Sequence, residues 1–112
     1  MNLTLNTTNN LLHKKGGALI NNRWYTEHAL ERMAPSTPQV MAELESRFLV
    51  RAKIASQKLH PKEFLKWRLE NAPDPRGIPP MVVKAEIAQP GSTGVRVILN
   101  EKGHVKTVIP GG

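Results

Sequence analysis

Gly94-Val95-Arg96-Val97-Ile98-Leu99-Asn100-Glu101-Lys102-Gly103-His104-Val105-Lys106-Thr107-Val108-Ile109-Pro110 holds two β-branched runs around a short polar segment that ends in glycine. That pattern describes two antiparallel strands and their turn. Side chains alternate across a strand, so Val95, Val97 and Leu99 share one face while Arg96 and Ile98 take the other. In the second run Val105, Thr107 and Ile109 are expected to oppose His104, Lys106 and Val108. Met81 to Ala88, ahead of Gln89-Pro90-Gly91-Ser92-Thr93-Gly94, is also rich in apolar and β-branched residues. It predicts a third strand, making an antiparallel meander.

Upstream the period changes from two to about 3.6. Thr26 stands where an N-cap belongs, and Ala29, Leu30 and Met33, with Trp24 just ahead, give an amphipathic helix that Pro35 ends. Ser36 or Thr37 caps a second helix, with Pro38 in its first turn and Val40, Leu44, Phe48, Ala52 and Ala55 along one stripe as far as about Gln57. His60-Pro61 starts a third, carrying Phe64, Leu65 and Trp67 to Leu69 before Asn71. Pro73-Asp74-Pro75-Arg76-Gly77-Ile78-Pro79-Pro80 reads as loop. Residues 1–22, rich in Asn and Thr and carrying Gly16-Gly17, read as a polar linker, leaving 23–112 as the folded domain. Helices followed by strands predict an α+β fold, with N-terminal helices packed on a small C-terminal antiparallel sheet.

At 112 residues the chain supports one core, in which Trp24, Trp67, Phe48 and Phe64 are expected as the large fillers. It has no cysteine, which excludes disulfides, thiolate metal sites and thiol catalysis. No apolar run approaches the ~20 residues of a membrane span, so membrane insertion by this domain is not expected. Met1 to Asn10 is polar, unlike a signal peptide. Sixteen Lys and Arg against nine Asp and Glu leave a formal charge of +7, which suits a polyanion or an acidic protein partner.

Metal-free RNA cleavage needs a base for the 2′-hydroxyl proton, an acid for the leaving oxygen and cations around the phosphorane. His28 and Arg32 lie four apart on one helix and project together, as an imidazole beside a phosphate-binding guanidinium or as part of a solvated face balanced by Glu27 and Glu31. Thr107 is a site hydroxyl or a satisfied core one. His104 and Lys106 are possible assistants, and His60 is better explained as a helix cap. Arg76 is a flexible phosphate clamp or simply exposed. Lys58, Lys62, Lys66 and Arg68 form a basic stretch suited to an RNA backbone. The nine acids are too scattered for a magnesium cluster, so neither a metal nor another cofactor is expected.

Arg23-Trp24-Tyr25-Thr26-Glu27-His28-Ala29-Leu30-Glu31-Arg32-Met33, a helical middle and then residues 94–110 resemble, in that order, the ribonuclease toxin domains of the barnase, EndoU, colicin and RelE-like superfamily. Many of those are C-terminal toxins of contact-dependent growth inhibition proteins. The resemblance implies a metal-free endoribonuclease, often directed at transfer RNA, with His28, Arg32 and Thr107 at its active site. It also implies release from a larger exported cell-surface protein, action in the cytoplasm of a target bacterium, a cognate immunity protein, here expected to be acidic, and in some cases a host cofactor protein. Where such toxins often carry an Arg-Gly-Ile-like turn after the helix, this chain has Ala34-Pro35-Ser36-Thr37-Pro38. The competing reading is a non-catalytic RNA- or DNA-binding module. Against it, the expected strands carry no aromatic residue on which a base could stack.

Overall fold

Asn21 and Asn22 both adopt left-handed backbone angles, φ 51° and 63°. Two such residues in succession make the type I′ turn that fits the twist of a hairpin, and Asn is among the few side chains that tolerate it. On either side the chain pairs antiparallel, as β1 (Ala18–Ile20) and β2 (Arg23–Tyr25), with Ala18 facing Tyr25 and Leu19 facing Trp24. The computed structural model describes residues 16–111. The linker reading is therefore overturned for 16–22, which belong to the folded domain, while 1–15, including His13, lie outside the described residues.

The remaining elements among the described residues are helices α1 (Glu27–Met33), α2 (Pro38–Lys58), α3 (Pro61–Asn71) and α4 (Pro80–Ala88), then strands β3 (Arg96–Leu99) and β4 (Val105–Ile109). The fold is α+β, with a four-stranded sheet in the order β1-β2-β4-β3. This sheet is mixed, because β2 lies parallel to β4 through Tyr25 and Val105 while β3 and β4 are antiparallel. The helix starts follow local chemistry: Thr26 Oγ1 accepts from Ala29 N at 3.1 Å and Thr37 Oγ1 from Val40 N at 3.2 Å. Thr37, not Ser36, is thus the cap of α2. His60 occupies the cap position of α3, but its side chain makes no capping bond.

Met81 to Ala88 is helical, correcting the expected third strand. Pro80 sits in the first turn, where its missing N–H costs nothing. Val83 is fully buried, and Val82 and Ile87 pack against the same cluster. This one-sided burial outweighs the β-propensity of the valines. Glu86 then ties down the following turn, accepting from Gly91 N at 2.7 Å and Thr93 Oγ1 at 2.7 Å. Those donors hold its carboxyl below the usual range.

The core lies between one face of the sheet and helices α1 and α4, built on Tyr25, Leu30, Met33, Val83, Val105 and Val108. Tyr25 is its fully buried aromatic, and burial pushes its phenol pKa up. The expected aromatic fillers are placed differently. Phe48, Trp67 and Phe64 stack between α2 and α3, with centroids 5.5 and 6.0 Å apart. Trp24 is partly exposed.

Strand β4 departs from simple alternation. Ile98 pairs with Thr107 but Leu99 pairs with Val105, leaving Lys106 as an extra residue in a bulge. Val105 and Val108 consequently both face the core. Thr107, opposite Ile98, moves to the outer face, correcting its expected alignment with Val105.

Position 17 admits only glycine. Its φ is +116°, and a Cβ there would lie 2.5 Å from the Tyr25 carbonyl oxygen and 2.7 Å from the Trp24 indole. Gly17→Ala is expected to cost about 1–3 kcal/mol from the backbone angle alone. The check is a thermal melt followed by circular dichroism, in which an unchanged midpoint would refute the close packing of Trp24 on this glycine.

Candidate functional site

His28 and Arg32 meet as their spacing predicts, with Arg32 Nε donating to His28 Nε2 at 3.5 Å, the long limit of a hydrogen bond. The His28 ring is open to solvent on one side. Lost hydration on the other side lowers its pKa, helped by the positive charge of Arg32 and, more weakly, of Arg76 and Arg51, while Glu31 opposes them with an effect second to that of Arg32. The neutral imidazole, the form that accepts a proton, is thereby favoured.

Arg32 has a different setting from the one its sequence position suggests. It is 9% exposed, and its guanidinium donates to the carbonyls of Glu70 at 3.0 Å and Ala72 at 3.2 Å while pairing with Asp74 at 3.4 Å. It therefore closes the C-terminal end of α3, where carbonyls lack helical partners. The space bounded by His28, Arg32, Asn71 and Asp74 is only about 10 Å³, too small for a phosphate. Burial, then Arg76, pushes the Arg32 pKa down, though an arginine remains a cation throughout the physiological range.

Arg76 is neither mobile nor merely exposed. Its guanidinium pairs with Asp74 at 3.0 Å and donates to the Val108 carbonyl of β4. The backbone of Arg76-Gly77-Ile78 runs along the end of α1, with Arg76 N bonded to Arg32 O at 2.7 Å, Gly77 N to Ala34 O at 2.9 Å and Ile78 N to Met33 O at 3.0 Å. An Arg-Gly-Ile segment thus does pack against the first helix, supplied from the proline-rich loop some forty residues later. Arg76 links the His28 surroundings to the strand that bears Thr107.

Glu27 and Glu31 do not balance Arg23 and Arg32. Arg51 binds Glu31 through both carboxylate oxygens, at 3.0 and 2.8 Å, and also pairs with Glu27, while Arg47 bridges Glu31 at 3.5 Å and Glu43 at 2.9 Å. This network fastens α1 to α2 and lines an open cleft of about 340 Å³. Arg23 instead donates to the Gly103 carbonyl at 2.8 Å.

Thr107 and His104 stand on the outer face of the sheet, while α1 with His28 packs over the core face. No hydrogen bond joins Thr107 to His28 or Arg32 among the described residues. Lys106, in the bulge, is exposed and its carbonyl accepts from Thr26 Oγ1 at 3.2 Å, anchoring the start of α1 to β4. Lys58, Lys62, Lys66 and Arg68 are all exposed, at the end of α2 and along α3, with Arg68 over the Phe64 ring at 5.9 Å.

The sequence reading missed one residue of chemical interest. Trp24, expected as a core filler, lies on β2 and projects from the outer face beside His104, with ring centroids 6.3 Å apart. The overlooked signal was the Asn21-Asn22 turn. Among the described residues no three His, Asp or Glu side chains converge as metal ligands, and no helix is long and apolar enough to cross a membrane. No family model matches this chain, and it matches no curated protein and no solved structure.

Proposed function

We propose that the domain is a metal-independent endoribonuclease in which His28 carries the proton transfer. The supporting observation is a solvent-facing imidazole that contacts Arg32 and whose neutral form is favoured by partial burial and neighbouring arginines, in a chain of formal charge +7. His28 takes the proton of a 2′-hydroxyl, and that oxygen attacks the adjacent phosphorus. The bond to the 5′-oxygen breaks and the leaving oxygen takes a proton from solvent water. The products are a 2′,3′-cyclic phosphate and a 5′-hydroxyl. Arg32 is a positioning residue that holds the ring, and the exposed bases of α3 hold the RNA backbone by counterion release.

Transfer RNA as substrate, delivery as part of a larger exported surface protein, action in a competing bacterium's cytoplasm and neutralisation by an acidic immunity protein follow from the resemblance of residues 23–33 and 94–110. The net charge agrees with them. One observation favours the non-catalytic alternative: Trp24 gives the sheet the aromatic residue whose absence had counted against a binding module.

The deciding experiment incubates the purified chain with total bacterial RNA in EDTA and resolves the products on a denaturing gel. Discrete fragments with cyclic phosphate ends are expected. Intact RNA, or cleavage seen only when magnesium is restored, would overturn the proposal.

A further inference from the structure

The outer face of the sheet has no helix over it among the described residues. Pairing places Leu19, Trp24, Ile98 and Thr107 there, with His104 adjoining Trp24. Leu19, on the edge strand β1, is 65% exposed, and Trp24, on the inner strand β2, is 37% exposed, large values for apolar side chains on a sheet face. The indole is also held in place. Gly17, with no room for a Cβ, lies against its six-membered ring, and His104 flanks it at 57° to the ring plane. A fixed aromatic ring loses little entropy when a flat partner settles on it.

The charge around it has one sign. The four strands, ALI, RWY, RVIL and VKTVI, contain no Asp or Glu but do contain Arg23, Arg96 and Lys106. Arg96 and Lys106 are exposed and form no ion pair among the described residues. An apolar-aromatic platform bordered by unpaired cations is matched by a chain that offers flat π-faces and phosphates together. A folded acidic protein would supply the charge but would leave the fixed indole without a stacking partner.

We infer that the outer sheet face is a single-stranded RNA subsite in which Trp24 stacks on a base, His104 and Thr107 contact the same nucleotide, and Arg96 and Lys106 hold its phosphates. The choice of RNA over DNA rests on the ribonuclease reading; the stacking itself does not.

The test uses the full chain carrying Trp67→Phe, so that Trp24 is the sole indole, and a 2′-O-methyl oligoribonucleotide, which cannot be cut through its 2′-oxygen. Titration is expected to quench Trp24 emission in step with the anisotropy of a labelled oligonucleotide. Trp24→Ala in the otherwise native chain is expected to weaken binding roughly 5- to 150-fold, the range for loss of one stacked base, and Trp24→Phe to keep most of it. Binding with silent Trp24 emission, undiminished binding by Trp24→Ala, or no binding at all would overturn the inference. Equal affinity for the same sequence as single-stranded DNA would overturn its assignment to RNA. Because the oligonucleotide is inert, the two ideas fail separately: quenching without any cleavage of native RNA removes the nuclease, and cleavage without quenching removes the stacking site.

Discussion

His28→Ala protein incubated with RNA in EDTA is expected to lose roughly 10²- to 10⁴-fold in cleavage rate, the usual contribution of a positioned acid or base. Its fold should persist, because the ring is partly solvated and makes one long contact, to Arg32. A variant that folds like the parent and cuts at the parent's rate would eliminate His28 as the proton-transfer group. The pH profile adds a second reading. Burial, followed by Arg32, Arg76 and Arg51, lowers the His28 pKa from its ordinary value, so the base form survives into more acid solution than a free imidazole would allow. Activity at low substrate should therefore rise with pH and reach its plateau at a lower pH than a free imidazole would give. The sign for stability follows from the same shift. A depressed imidazole pKa means that the folded state resists protonation, so the associated stability is complete above about 6.5 and is lost as pH falls from there through the lower folded value. His28→Ala should remove both dependences, measured by initial rates and by urea melts across that window.

Arg32→Ala is expected to act mainly on stability. Hydrogen bonds from a charged donor are worth about 1.5–3 kcal/mol each, and the two shorter ones, to Glu70 and Ala72, place the loss at roughly 3 kcal/mol or more. That is a large share of the 5–15 kcal/mol typical of a small domain. Arg32→Lys should restore little, since an ammonium is a single point charge and cannot span the same carbonyls as a planar fork. Urea denaturation followed by circular dichroism gives the answer. A phosphate-binding arginine would show the reverse pattern, with stability retained and only catalysis impaired, and that result would reinstate it as a direct ligand.

Local chemistry made much of this architecture readable. Thr26, Thr37-Pro38 and Pro61 announced three helices because capping and N-terminal proline effects act within one turn of chain. The β3–β4 hairpin was readable from its alternation up to the bulge at Lys106, which depends on packing of Val105 and Val108 against helices far away in sequence. Met81 to Ala88 misled because Val82 and Val83 favour strands locally, whereas the sheet they were expected to join already had β2 in that role. The first hairpin was hidden in a polar, Asn-rich stretch whose composition resembles a linker. At the site, the contact between His28 and Arg32 followed from helical periodicity. The commitment of Arg32 to Glu70 and Ala72 did not, since those carbonyls arrive from about forty residues away.

The pairing of β2 with β4 joins segments separated by 80 residues, and this governs the order of events when the chain folds. Helix α1, seven residues long, is too short to persist alone in water. Its first turn is held by bonds from Thr26 to Val105 and Lys106. The α2–α3 hairpin involves only nearby segments and can form early, whereas closing the long loop between the two ends of the sheet is slow. During synthesis from the N-terminus, α1 can pair with Arg47 and Arg51 of α2 early, but its buried face lacks β4 to dock on until that strand has emerged. The candidate site is thus among the last parts of this domain to become ordered.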